Sequence, residues 1–269
     1  MAATTWTFAA AVSLYLAAAA CFFGQLLRGG ERLAFWATLV LTAAVVAHGA
    51  FIGAILTVEG YALFQSLLST LALGSLLVVV VYLGTMRRHR LTVLGAFITP
   101  ITLLMLLGAG LETQVARVSN EMRSALLPFH ILVNTLGIVA FALAFAVAVA
   151  YMIQEQRLRR RELTGVFQRL PPLDVLDSLG LRLTTIGFPL LTIGMLTGSL
   201  WAIRSGHGTV EFSPGQGFAV LSWLFFAIVL LFRAAAGWRG RRAAVGTVLG
   251  FVCAMAALVG YAVRGLGAT

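Results

Sequence analysis

Lysine is absent from this chain of 269 residues, and acidic residues number only nine. Charged residues make up 10% of the sequence against 60% hydrophobic, and mean hydropathy is +0.98. Soluble domains carry about 25% charged residues, so this composition excludes a water-soluble globule and indicates an integral membrane protein. The two cysteines, Cys21 and Cys253, fall inside apolar runs without a CxxC partner. That disfavours thiol chemistry and suits packing as small apolar side chains. Acidic residues are missing from the apolar runs themselves, and Glu59, Glu112, Glu121 and Glu211 fall in connections. A proton or ion pathway usually leaves a carboxylate inside the membrane. Zinc asks for three or four N, S or carboxylate ligands, which these runs do not supply. No glycine loop for phosphate and no nucleophile elbow stands out.

What remains is a set of long apolar runs. A span needs about 20 such residues to cross about 30 Å of hydrocarbon. Eight runs qualify: Trp6–Leu27, Leu33–Thr57, Tyr61–Tyr82, Leu91–Ala109, Ala125–Ile153, Leu179–Ile203, Gly217–Phe232 and Ala243–Val263. They are too long for barrel strands and do not alternate, so the expected fold is an all-α transmembrane bundle, a single domain over residues 1–269. All 19 basic residues are arginine, clustered between the runs. Fifteen arginines, from Arg28 and Arg32 to Arg241 and Arg242, lie in one set of connections; only Arg117, Arg123, Arg204 and Arg264 lie in the other. The positive-inside rule places the richer set in the cytoplasm and both termini outside. This clustering explains the net charge of +10 without invoking nucleic acid. The N-terminus lacks a basic region and a cleavage site, so the first run is expected to be retained.

Two connections are longer. The outer "LETQVARVSNEMRS" places Val115, Val118 and Met122 near helical spacing; an amphipathic surface helix and a solvated loop both fit. The inner segment, about residues 154–178, is expected to carry the fifth helix onward until Pro171-Pro172 stops it. Asp174 is then placed to cap the next helix, with Asp177 in its first turn, both serving capping and interface anchoring. Pro189 is expected to kink the sixth span. Gly194 and Gly198, like Gly49 and Gly53, have the spacing that lets helices approach closely.

Polar groups in hydrocarbon call for partners. His48 lies in the second span, roughly 13 Å below its outer end at about 1.5 Å per residue, and His130 in the fifth, roughly 7 Å below. Two imidazoles at similar depth on different helices can reach one metal, and haem iron takes axial histidine within an apolar pocket. Asn134, one turn from His130, can bond a ligand or support the ring. The alternative is that each histidine simply hydrogen-bonds a neighbouring helix, and spacing does not decide between the two. His89, among arginines, and His207, in an outer loop, read as solvated surface.

The stretches "LPPLDVLDSLGLRLTTIGFPLLTIGMLTGSLWA", "VLSWLFFAIVLLFRAAAGWRGRRAAVGTVLGF" and "AHGAFIGAILTVEGYALFQSLLS" resemble the cytochrome c assembly membrane proteins of the CcsA/CcmC type. The resemblance is closest to their short eight-span, HemX/YpjD-like branch. It implies that His48 matches a transmembrane haem-ligand histidine and His130 an outer-side one. The larger members deliver haem to apocytochrome from an outer tryptophan-rich platform. Here that region reads "EFSPGQGFAVLSW", with Pro214 kept and Phe212 and Phe218 in place of tryptophans. A later membrane histidine is replaced in "LLFRAAAGW", where Leu231 and Phe232 stand.

The expectation is a haem-binding, multi-pass protein of the bacterial cytoplasmic (inner) membrane, non-enzymatic by itself. It would support haem trafficking or cytochrome c assembly alongside a membrane or cytoplasmic protein partner. His48 and His130 would ligate haem b, with Asn134 as support. Two other roles stay open: a regulator of tetrapyrrole synthesis working through Arg157–Asp177, and a cofactor-free structural subunit.

Overall fold

The computed structural model describes residues 2–59, 67–89, 91–110, 126–162, 164–204 and 214–267. Among them every regular element is helical. The long helices are α1 (Ala2–Arg28), α2 (Glu31–Glu59), α3 (Leu67–His89), α4 (Gly95–Ala109), α5 (Leu126–Arg159), α7 (Leu173–Arg204), α8 (Pro214–Ala236) and α9 (Arg241–Gly267); α6 (Val166–Arg169) is a single turn. In hydrocarbon every backbone N–H and C=O must be satisfied within the segment, which a helix achieves unaided. Seven of these helices are long and apolar enough to cross a membrane. In α3 the stretch Thr70–Met86 is likewise apolar, and the full 23-residue helix is about 35 Å long. The outer segment with Val115, Val118 and Met122 lies outside the described residues, as do His207 and Phe212.

Packing divides the bundle into two halves. In the first, α1 lies along α2 and also against α4, and α3 pairs with α4. In the second, α5 lies along α7, α8 pairs with α9, and α9 returns to α5. The halves join where α3 and α4 meet α5. Helix α5 is therefore central, and from Val139 to Ala150 most of its side chains are buried. The α1–α2 link is only Gly29-Gly30, both at positive φ (77° and 106°), where a side chain would be strained.

The inner segment departs from expectation. Helix α5 ends at Arg159, well before Pro171-Pro172. Its closure is a Schellman turn: Arg161 adopts φ 57°, its N–H donates to the Leu158 carbonyl, and the Glu162 N–H donates to that of Arg157, each at 3.0 Å. These bonds satisfy carbonyls left open by the last turn. Arg169 of α6 then reaches α1, where its Nη1 donates to the Leu26 carbonyl at 2.7 Å. A cation there also opposes the negative end of the α1 dipole.

The two carboxylates after the prolines also depart from expectation. Helix α7 begins at Leu173, so Asp174 lies inside its first turn rather than before it. Asp177 instead holds the α8–α9 turn: Oδ2 accepts from Arg233 Nη2 at 2.6 Å and Oδ1 from the Gly240 N–H at 3.0 Å. That turn is the "GWRG" motif, with Gly237 and Gly240 at φ 65° and 69° and Trp238 stacked on Phe232. Helix α7 runs continuously through Pro189. A Cβ placed on Gly49 or Gly53 would meet no described atom within 4 Å, so the expected close helix approach there is not made within the described chain.

Candidate functional site

His48 sits on a buried stripe of α2 formed by Ala37, Leu41, Ala44, His48 and Phe51. Helix α1 presents a matching stripe of Ala11, Tyr15, Ala18 and Phe22. Both follow the alternating three- and four-residue spacing of a helix seam, and the two polar members meet. Tyr15 and His48 are each 0% exposed. Tyr15 Oη lies 3.2 Å from His48 Nδ1, with the rings edge to face at 90° and the tilted Phe51 ring 6.2 Å from the imidazole. His48 Nε2 is buried and makes no hydrogen bond. The Ala72 carbonyl of α3 faces the ring as a backbone acceptor, but it makes no well-formed hydrogen bond to Nε2 and already accepts from Ser75 Oγ at 2.8 Å.

His130 is held differently. One turn apart on α5, it and Asn134 fit against Gly198 and Gly194 of α7. A Cβ at Gly198 would come within 2.6 Å of His130 Cε1, and one at Gly194 would overlap the Asn134 amide. The pattern continues along the pair, since Phe141 of α5 packs on Gly187 of α7. His130 Nδ1 lies 2.8 Å from the Gly194 carbonyl, which only a protonated Nδ1 can bond, and 3.2 Å from Thr197 Oγ1. Asn134 Nδ2 lies 3.0 Å from Nδ1 and 3.1 Å from Nε2, and with Nδ1 protonated only Nε2 is left to accept from it. Both ring nitrogens are thus engaged, and the ring is half-buried.

His130 and Asn134 are brought together. His48 and His130 are not joined by any described contact: the first is seated between α1 and α3, the second against α7. Tyr15 escaped the sequence reading, although a hydroxyl centred in an apolar run is the same signal that marked the histidines. Thr197, Gly194 and Gly198 became legible as a site only once α7 was seen beside α5.

Comparison with known proteins decides the family. A family described as "Cytochrome C assembly protein" matches residues 6–267. The chain belongs to the cytochrome c assembly family. Similar relatives carry the name "Cytochrome c biogenesis protein CcsA". One from Gloeothece citriformis is 37% identical over 100 residues, 37% of this chain and 30% of the relative. Others are from Cyanophora paradoxa, 40% identical over 34% of this chain and 29% of the relative, and Mesostigma viride, 38% identical over 35% and 30%. The matched stretch thus spans under a third of each of these relatives. No solved structure matches the chain. Family membership and the seven long apolar helices together make this a multi-pass membrane protein, and the family's name raises haem as the group to test.

The residues present can be tested against such a group. Iron needs an imidazole nitrogen with a free lone pair. His48 Nε2 is free of hydrogen bonds and its other nitrogen is held by a hydroxyl, so its donor chemistry fits. His130 meets the requirement only after Asn134 leaves Nε2. The His48 ring has no exposed surface, so a macrocycle would reach it only through a parting of helices. The contact of α2 with α3 is far thinner than that with α1, which makes the α2–α3 seam the weaker wall.

Proposed function

We propose that this protein binds haem within the membrane through His48 and handles it during cytochrome c assembly. The observation that carries this reading is the buried, hydrogen-bond-free Nε2 of His48. Leaving a buried polar atom unpaired costs about 1–3 kcal/mol, and such atoms in native proteins commonly answer to a ligand or a catalytic role. Haem, when bound, supplies a redox-active iron inside an apolar scaffold. His48 provides the axial nitrogen, while the apolar stripes of α1 and α2 exclude water from it. His130 serves as a second ligand only when freed from the α7 groove, with Asn134 supporting the ring at rest. The haem is of the b type, held without covalent attachment.

The arrangement in the membrane is part of the same proposal. All eight long helices span, α3 included, and both termini lie outside a bacterial cytoplasmic membrane. The fifteen-to-four division of arginines supports that orientation. Both histidines then lie in the outer half of the bilayer, suited to passing haem toward the face where cytochrome c is assembled. A regulatory role for the inner segment has no comparable support, because Arg169 and Asp177 are committed to contacts inside the bundle.

The test is the visible spectrum of detergent-purified protein made with ample haem. A Soret band that His48→Ala removes supports the reading. A colourless wild-type preparation, under conditions where a known haem protein loads fully, overturns it.

A further inference from the structure

We propose that Tyr15 is a positioning residue for the haem ligand: its hydroxyl holds His48 Nδ1, fixing the ring so that Nε2 presents its lone pair to iron. This rests on the reading that His48 ligates haem. Tyr15 is fully enclosed, and its Oη lies 3.2 Å from Nδ1. The edge-to-face packing of the two rings at 90° leaves the imidazole little freedom to turn.

The chemistry follows from proton bookkeeping. A neutral imidazole carries one proton, so coordination through Nε2 requires that proton on Nδ1. Nδ1–H then donates to the Tyr15 oxygen. A phenol can also donate, so the same contact survives in the other tautomer, when Nδ1 accepts and Nε2 bears the proton. Tyr15 therefore tolerates His48 before loading and stabilises it in the ligating tautomer afterwards. Accepting a hydrogen bond from Nδ1–H raises the basicity of the ligating nitrogen, which favours the ferric state. Carboxylates and backbone carbonyls usually perform this task. Here the hydrogen-bond partner described at Nδ1 is the Tyr15 hydroxyl, a neutral group that places no second charge in hydrocarbon.

The experiment compares wild type, Tyr15→Phe, Tyr82→Phe and His48→Ala as full-length proteins in detergent, measuring haem affinity and midpoint potential. Tyr82 is the control: it is equally enclosed, but its hydroxyl donates to the Thr92 carbonyl at 2.7 Å. The expected result is that Tyr15→Phe weakens haem binding about 10- to 100-fold and raises the potential, while Tyr82→Phe changes neither. The proposal is overturned if Tyr15→Phe leaves both at wild-type values, or if Tyr82→Phe shifts the potential as far. Failure of the underlying reading looks different. His48→Ala would then keep the full Soret band whatever Tyr15→Phe does, and the role of Tyr15 would fall with it.

Discussion

His48 and His130 are the same side chain in two apolar helices, yet the two halves of the bundle treat them in opposite ways. The α5–α7 pair satisfies His130 completely, with the Gly194 carbonyl on one nitrogen and Asn134 on the other. The α1–α2 pair satisfies only half of His48 and buries the rest. A helix pair that needs a polar key for its own cohesion uses all of it. One that retains a polar group with a free atom bears a cost that packing alone does not repay. The first arrangement is accounted for by helix association in lipid, where small residues and interhelical hydrogen bonds replace the hydrophobic drive. The second calls for something further, and the proposed haem ligation would meet that need.

This contrast can be broken from either side. The largest effect is expected from Gly198→Leu, because the His130 ring already occupies the space beside that Cα. Overpacking costs about 1–3 kcal/mol, and the α5–α7 pair should lose thermal stability in detergent by that amount. Next comes His130→Ala, which frees the Gly194 carbonyl and the Asn134 amide together. Interhelical bonds of this kind are worth about 0.6 kcal/mol and at most about 1.7, so unfolding should show a loss near the upper figure. Asn134→Ala removes one contact and should show the lower. The smallest change, and the sharpest contrast, is expected in the other half. Joining His48→Leu with Tyr15→Phe replaces a half-satisfied polar pair by apolar groups of similar size. Unfolding should then find stability unchanged or raised, whereas a purely structural His48–Tyr15 pair would give a clear loss.

The helical architecture was legible because apolar run length is a local signal. The end of α5 was not. "QRLRRREL" contains good helix formers throughout, and the stop at Arg161 uses a left-handed residue that is not glycine. Asp177 was recognisable as an anchor, but its partners Arg233 and Gly240 lie more than fifty residues away. The same distance hid the fit of His130 and Asn134 into Gly194 and Gly198, although each pair carried a spacing signal of its own. Tyr15 could have been found by extending to hydroxyls the scrutiny given to intramembrane imidazoles. What no one-dimensional pattern can supply is which nitrogen of a histidine remains free, since that depends on groups from three separate helices.

The central claim is that the unpaired nitrogen of His48, and not the paired ring of His130, is the place where haem iron binds. The direct measurement is the haem-to-protein ratio from the Soret band of His48→Ala beside that of His130→Ala, each purified with ample haem. The account predicts loss of the band in the first and retention of most of it in the second, with His130→Ala marked chiefly by lower thermal stability. A full band in His48→Ala together with its loss in His130→Ala would contradict the account.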